Sequence, residues 1–398
     1  MATAMATADP VVIVGAARTP IGNFQGKLSG MSAPELGAVA IREAVKRSGV
    51  PAEAVDEVIF GTCLFAGQKQ APARQAALGG GLSGSAGCTT LTKMCGSAMK
   101  AAMLGHDVLI AGSSEIVVAG GMESMSNAPY LLPRARTGYR LGHQKVLDHM
   151  LTDGLEDAVE SRLMGSFACE WAEKNSFSRE EQDRYAAQST ERAKLANTDG
   201  SFAWEIAPIT LVSRSGETVM ANDETPFAVN VEKIPTLKAA FRPNGTITPA
   251  NASSISDGAA AVVMMRQSVA EHRALAPLAR IVGHANYAAD MASFPGAPVH
   301  AINRLYAKTG WTTKDVDLFE VNEAFAVVAL GAMRSLGIPE DKMNVHGGAC
   351  ALGHPIGATG ARIMVTLIGA LRKRGLKRGV ASLCIGGGEA TAIAIEIL

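Results

Sequence analysis

Neither charge sign is in excess in this chain. Thirty-seven basic residues balance thirty-seven acidic ones, so the broad electrostatic footprint that draws a protein to nucleic acid or to an anionic membrane is missing. No partner of either kind is expected. No run approaches the roughly 20 apolar residues that span a bilayer. The opening MATAMATADP has neither the positive start and apolar stretch of a signal peptide nor the arginines of a transit peptide, and a cytoplasmic location is the expectation. The six cysteines, Cys63, Cys88, Cys95, Cys169, Cys350 and Cys384, form no CxxC pair and have no matching histidine spacing, which argues against a zinc site. They read as reduced thiols, mostly small buried hydrophobes, with one or two available for chemistry.

What is present reads as α/β. At 398 residues the chain is too long for one ordinary core, so two or more packed units are expected. Val11-Val12-Ile13-Val14 before Gly15 reads as a buried strand, and Ser32 with Glu35 forms a capping box for a helix ending near Gly49. Residues 55–60 read as the next strand. The unit returns 261 positions later, where Ala40-Ile41, Gly49 and Val55-Asp56 match Ala301-Ile302, Gly310 and Val316-Asp317. Ile116-Val117-Val118-Ala119-Gly120-Gly121 and Ala381-Ser382-Leu383-Cys384-Ile385-Gly386-Gly387 form a second such pair, both apolar strands running into glycines. A duplication is implied. Residues 123–249 are richer in charge and proline and read as an inserted subdomain, whose clearest element is a helix starting at Ser178, capped with Glu181 and running to about Ala196.

Four glycine-flanked segments place reactive or polar side chains beside backbone that a ligand can approach closely. In Lys93-Met94-Cys95-Gly96-Ser97, the helix-compatible run after Cys95 puts the thiol at a helix start, where partial positive charge and free N–H groups favour a thiolate and can hold an oxyanion. In Gly353-His354-Pro355-Ile356-Gly357, Pro355 keeps His354 out of a helix interior and the glycines free its ring, as a general base for a cysteine requires. Cys384 ends an apolar strand and is followed by Ile385 and three glycines, whose N–H groups face the end where open α/β sheets bind ligands. Asn322 follows the largely apolar strand at 318–321, and its amide reads either as a water holder or as a turn former.

Taken in order, these segments resemble the thiolase superfamily over essentially the whole chain. Arg18-Thr19-Pro20-Ile21-Gly22, Gly120-Gly121-Met122-Glu123-Ser124-Met125-Ser126, Asn251-Ala252-Ser253 and Asp257-Gly258-Ala259-Ala260-Ala261 complete the set. The resemblance implies two duplicated halves, each a mixed five-stranded sheet with helices, and an inserted loop domain. The N-terminal half would be residues 1–122 completed by 250–275, the loop domain 123–249 and the C-terminal half 276–398. It also implies a homodimer or a homotetramer built from dimers, with acyl-CoA and CoA as substrates and with no metal or other cofactor.

The same resemblance assigns roles. Cys95 is similar to the acylated nucleophile, His354 to its activator and a donor to the thioester oxygen, Cys384 to the acid/base at the α-carbon, and Asn322 to the holder of an oxyanion-site water. The N–H groups of Cys95 and Gly386 would form a second oxyanion hole. Ser253 would contact the pantetheine arm, Leu163 and Met164 would face the acyl pocket, and Phe325 belongs with these substrate contacts. Two cysteines make chemical sense because two different protons move, one from the attacking thiol and one from the α-carbon of a second acyl-CoA.

Residues 151–165 and Asn344-Val345-His346-Gly347-Gly348 resemble the short-chain acetyl-CoA acetyltransferase branch, which condenses two acetyl-CoA into acetoacetyl-CoA and CoA and runs the reverse thiolysis. Thr92, Ala98 and Leu163 depart from the branch's commoner Asn, Gly and His. A 3-ketoacyl-CoA thiolase acting on longer chains in β-oxidation shares the catalytic residues and is the alternative. A carrier-protein ketosynthase would not carry a second cysteine before Gly386. A thiolase-like lipid-binding or scaffold protein would lack one of Cys95, His354 and Cys384.

Overall fold

The computed structural model describes residues 9–214 and 216–398. Its first elements follow local sequence signals. Strand β1 (Val11–Arg18) is buried along its whole length. Helix α1 (Ala33–Ser48) starts at the Ser32/Glu35 capping box and ends at Gly49 in the left-handed conformation, which a glycine enters without steric cost. Strand β2 (Glu57–Gly61) begins two residues later than the apolar pattern predicts, because Ala52–Ala54 coil into a 3₁₀ turn. Helix α2 (Pro72–Gly79), strand β3 (Gly87–Leu91), helix α3 (Ser97–Ala111) and strand β4 (Ile116–Ser124) follow.

After Ser124 the chain leaves the sheet, and it re-enters at strand β5 (Ser256–Arg266). The excursion holds helices α4 (Met164–Lys174) and α5 (Arg179–Thr198), the latter opened by the Ser178/Glu181 capping box. Arg18 ties the excursion down. Its fully buried guanidinium donates from Nε to Glu205 at 2.6 Å and from Nη1 and Nη2 to Asp223 at 2.6 and 3.0 Å. Buried charges are tolerated when paired and hydrogen-bonded in this way.

The second half repeats the first. Strand β6 (Ala279–Ala288), helix α6 (Ala297–Thr309), strand β7 (Leu318–Val321), helix α7 (Ala326–Leu336), the single-turn α8 (Ala349–Leu352), helix α9 (Thr359–Arg374), strand β8 (Arg378–Ile385) and strand β9 (Glu389–Ile397) complete the chain. Helix α6 ends at Gly310 as α1 ends at Gly49, both with φ of 73°.

The strands form one sheet, in the order β7-β8-β9-β6-β1-β5-β4-β2-β3, with Gly22–Asn23 paired to β5 as a tenth strand. The first half pairs β3, β2 and β4 in parallel, then β5 and β1 antiparallel. The second half mirrors this with β7 parallel to β8, then β9 and β6 antiparallel. Two differences from five strands per half are plain. The halves are joined through the antiparallel pair β1–β6, and the counterpart of β3 is reduced to a single bridge between Phe319 and Met343.

Three apolar clusters define the layering. Helices α1 and α2 cover one outer face, and α6 and α7 cover the other. Between them, α3 and α9 share one core with the inner faces of strands from both halves. Helix α9 is buried from Thr359 to Leu371, so it is apolar around most of its circumference, as a helix enclosed by sheet and helix must be. Among the described residues no helix is long and apolar enough to cross a membrane.

Candidate active site

The chain places its chemistry where strands of both halves run out. After β3 the backbone turns sharply at Met94, whose φ is 47°. Ser97 fixes the turn, its hydroxyl accepting from the Lys93 N–H at 2.8 Å and donating to the Met94 carbonyl at 2.7 Å. Cys95 therefore sits just before Gly96, the N-cap of α3, and outside the first helical turn.

That position corrects the expectation of a favoured thiolate. Cys95 keeps some solvent contact, yet desolvation of its sulfur pushes the thiol up to about 11, and the N–H groups of Gly386 and of Cys95 itself only partly offset this. The Gly386 N–H comes from the turn between β8 and β9 in the other half, so the contact unites the two halves at the nucleophile. Gly96 packs tightly there, since a Cβ on it would lie 2.3 Å from Ile385 Cδ1. An ion pair between Lys93 and Glu389 links the same two turns from the outside.

Cys384, one residue before the end of β8, is 1% exposed. Burial pushes its thiol well above the ordinary range, and the proximity of Cys95 pushes it the same way. A third thiol, Cys63, lies in the same neighbourhood and donates to the Met94 carbonyl at 3.1 Å.

His354 stands in the loop between α8 and α9. Its backbone N–H donates to the Ser254 carbonyl at 3.1 Å. The preceding Gly353 has φ of 106°, and a Cβ there would fall 2.1 Å from Ser256 Oγ, so only glycine fits. The ring is buried, with Nδ1 2.7 Å from Thr359 Oγ1, and the Thr359 hydroxyl itself donates to the Pro355 carbonyl at 2.9 Å. With that hydroxyl hydrogen engaged, Nδ1 must carry the imidazole hydrogen and donate, a tautomer assigned from the hydrogen-bond network. Nε2 is then an unprotonated acceptor, and it has no partner among the described residues. Desolvation, then the nearby Arg362 guanidinium, pushes His354 down to about 3, so the ring rests neutral, as a base must.

Asn322 lies just past β7, its N–H donating to the Ser382 carbonyl at 2.9 Å. The residue is 1% exposed, and neither its Oδ1 nor its Nδ2 has a partner among the described residues. A buried amide with both ends unpaired costs free energy, which fits a group kept for a ligand or a water better than a turn former.

The residues named for substrate contact divide. Ser253 is half-buried, and its N–H donates to the Ala324 carbonyl at 2.9 Å, one residue from the Ala252–Phe325 bridge. Met164 opens α4, and its Sδ lies 4.0 Å from where a Cβ on Gly386 would be. Phe325 is buried between Phe241 and Phe294, with ring centroids 5.9 and 6.1 Å away. Leu163 precedes α4 and is 37% exposed.

Of the buried carboxylates that escaped the sequence reading, two clamp the loops of the site. Glu123, fully buried at the end of β4, accepts from Thr62 Oγ1 at 2.9 Å and from the N–H groups of Cys63, Leu64 and Gly357 at 2.9, 3.1 and 2.8 Å. Burial raises it and these four donors counter the shift. It pins the His354 loop onto the end of β2. Glu323 accepts from Tyr185, Ser189, Asn344 and the Cys350 N–H at 2.9, 2.7, 2.8 and 3.1 Å, pinning α5 beside α8. Both stood inside recognised motifs. Their spacing gave no sign of a clamp, because the partners lie from 21 to 234 positions away along the chain.

Comparison with known proteins agrees with this arrangement over almost the whole chain. The family described as "Thiolase, N-terminal domain" matches residues 11–268, and "Thiolase, C-terminal domain" matches residues 275–397. An acetyl-CoA acetyltransferase of Pseudomonas aeruginosa is 48% identical over 387 residues, covering 97% of this chain and 98% of the relative. A mitochondrial acetyl-CoA acetyltransferase of Rattus norvegicus is 47% identical over 394 residues, covering 98% and 92%. Among solved structures, an acetyl-CoA acetyltransferase of Bacillus anthracis superposes with a TM-score of 0.95 at 42% identity, covering 98% of this chain and 99% of that one. A thiolase of Ascaris suum in complex with coenzyme A gives 0.92 at 40% identity, covering 98% and 100%. A twofold sheet whose halves bring two thiols together, matched end to end at this identity, leaves one conclusion: the chain belongs to the thiolase family of acyltransferases.

Proposed function

We propose that this enzyme is an acetyl-CoA C-acetyltransferase, joining two acetyl-CoA into acetoacetyl-CoA with release of CoA and catalysing the reverse thiolysis. The observation that carries the reading is the pairing across the halves, with the Cys95 sulfur at the Gly386 N–H and beside the buried Cys384 thiol. The relatives named above, called acetyl-CoA acetyltransferases, favour the short-chain reaction over longer 3-ketoacyl substrates.

The proton balance closes with residues of this chain alone. His354 Nε2 takes the Cys95 proton, and the thiolate attacks the thioester carbonyl of the first acetyl-CoA. The departing CoA thiolate takes its proton from Cys384, leaving the acetyl group on Cys95. The Cys384 thiolate then removes a proton from the methyl of the second acetyl-CoA, and the enolate attacks the acetyl carbonyl. Cys95 leaves as a thiolate and recovers its proton from the His354 imidazolium. A thiol that burial makes hard to ionise is correspondingly basic once ionised, as abstraction from carbon requires. Fixed donors would stabilise the two oxyanions, an Asn322-held water at one and the N–H groups of Cys95 and Gly386 at the other.

Ser253, Met164, Leu163 and Phe325 are assigned to the pantetheine arm and the acyl pocket, Met164 with the firmest support from its approach to Gly386. No metal or redox group enters the balanced scheme. Association as a dimer or a tetramer of dimers fits β3, a sheet-edge strand with one side unpaired among the described residues. Six unpaired cysteines suit a reducing compartment such as the cytoplasm. The test is acetoacetyl-CoA cleavage by CoA, followed spectroscopically and repeated with longer 3-ketoacyl-CoA. A preference for the longer chains would overturn the short-chain assignment.

A further inference from the structure

One cluster of ligand-bearing side chains lies outside the active site and takes no part in the chemistry above. His106 and Asp107 sit near the end of α3 and His284 sits on β6, in the other half of the molecule. The two imidazoles meet edge to face, with centroids 5.0 Å apart and an interplanar angle of 84°. His106 Nδ1 and His284 Nε2 converge on one atom, Asp107 Oδ1, at 3.2 and 3.0 Å. One ligand atom from each of the three residues lies within 4.8 Å of the others. We propose that His106, Asp107 and His284 bind a divalent transition metal of the zinc class, which staples α3 of the first half to β6 of the second.

The geometry fits such an ion with small movements. Zinc binds imidazole nitrogen at about 2.0–2.1 Å and carboxylate oxygen at about 2.0–2.2 Å, so neighbouring ligand atoms in a tetrahedral shell stand roughly 3.3 Å apart. The two N···O separations are already close to that spacing. The two nitrogens need to approach by at most about 1.5 Å, a rotation within reach of partly exposed rings. The donor set, two imidazoles and one carboxylate with no thiolate, suits zinc, copper or nickel better than magnesium or calcium. The side chains of His106, Asp107 and His284 are 16%, 52% and 14% exposed, which gives an ion a way in and leaves room for water as a further ligand.

The backbone is shaped to bring these groups together. A bulge in β6 between Ile281 and Gly283 shifts the register, so that Ile281 opposite Ile395 and His284 opposite Ile393 share the inner face. Without the extra residue, strict alternation would aim His284 away from α3. The His284 carbonyl is held by Lys308 Nζ at 2.9 Å. From Asp107 back to Cys95, α3 spans about 15–18 Å at 1.5 Å per residue, so the metal would brace the far end of the helix that follows the nucleophile. Its role is structural.

The test is titration of chelator-treated full-length protein with Zn²⁺ alone, and with Co²⁺ as a spectroscopic stand-in. One metal per chain is expected. The Co²⁺ spectrum should show visible d–d bands without a thiolate charge-transfer band. His106→Ala and His284→Ala should each weaken Zn²⁺ binding more than about 100-fold, since even the loss of an outer-shell partner costs 10–100-fold. His284→Asn, which keeps a donor toward Asp107, should lose the metal while melting like the metal-free parent. Cys95→Ser should bind Zn²⁺ as the parent does. The assignment is overturned if the parent takes up no Zn²⁺, if the histidine variants bind it as tightly as the parent, or if Cys95→Ser abolishes binding.

Discussion

The two halves share a strand order and a cap, yet corresponding places in them carry different chemistry. The turn between β3 and α3 presents Cys95, and the corresponding stretch between the Met343 bridge and α9 presents His354. Where β2 ends in Gly61, β7 runs into Asn322; where β4 ends near the clamp Glu123, β8 ends near Cys384. Duplication supplied two copies of one scaffold, and divergence divided the work between them. The first half gives a nucleophile, with a carboxylate that fixes the opposite loop. The second gives the base, the amide, the second thiol and the glycine turn. The thiols differ in kind as well. Cys95 has N–H donors from both halves, while Cys384 has its own backbone N–H to set against burial and the proximity of Cys95.

That division is most sharply tested at Cys384. Cys384→Ala should still accept an acetyl group on Cys95, seen by mass spectrometry of the intact protein. Condensation, and exchange of the acetyl methyl in D₂O followed by NMR, should fall by at least about 10²–10⁴. A folded variant that acylates and exchanges at the parent rate would show that the halves do not split the protons as proposed.

A second test asks how far the excursion depends on the first half. Arg18→Ala would strand Glu205 and Asp223 as buried charges, and denaturant unfolding should show a loss of about 3–5 kcal/mol. Arg18→Met combined with Glu205→Gln and Asp223→Asn should recover much of it. No recovery would mean that packing, more than the ion triad, holds the excursion to β1.

The His354 environment makes a pH-dependent prediction. Its folded value of about 3 lies below the ordinary 6.5, so between these limits the unfolded chain binds more protons than the folded one. The contribution to stability is complete above pH 6.5 and is lost as pH falls, with a slope of up to about 1.4 kcal/mol per pH unit. His354→Gln should flatten this part of the melting-temperature profile between pH 6.5 and 3. An unchanged acid limb would place the cause in other groups the fold holds down, His346, which burial pushes down to about 4, and the ion-paired Asp199 and Glu396.

The smallest effect is expected at the outer link between the halves. The Lys93 and Glu389 side chains are 21% and 34% exposed, so the pair should contribute about 1 kcal/mol or less. Lys93→Glu should slow acylation a few-fold, and adding Glu389→Lys should restore it. Equal rates in all three proteins would leave the glycine turn positioned by Gly96 packing alone.

How much of this was legible in the sequence depended on distance along the chain. The Ser32/Glu35 and Ser178/Glu181 caps were readable because both partners lie within one turn. The repeat was readable because glycines at its turns survive at a fixed offset. The order in which Cys95, Asn322, His354 and Cys384 occur identified the family. Quantities set by packing were not readable. Reasoning from the helix end favoured a Cys95 thiolate, whereas burial, a property of the assembled halves, pushes the thiol the other way. The pairing of β1 with β6 and the loss of a strand at Met343 depend on contacts far apart in sequence. Asp107 and His284 meet across 177 positions, a separation no local spacing rule covers.

The central position of α9 bears on how the chain is made. The inner faces of β1, β2, β4 and β5 share their core with α9, which lies within the last 40 residues. β5, which pairs with both β1 and β4, follows an excursion of more than 130 residues. During synthesis, most of the polypeptide therefore emerges before its middle layer exists, leaving broad apolar strand faces open until the final helix arrives. Such long-range closure folds slowly and exposes aggregation-prone surface on the way. A fragment stopping near residue 275, although it spans one whole family match, should be recovered insoluble or chaperone-bound, because the middle one of the three apolar layers belongs to both repeats and closes only when the second is complete.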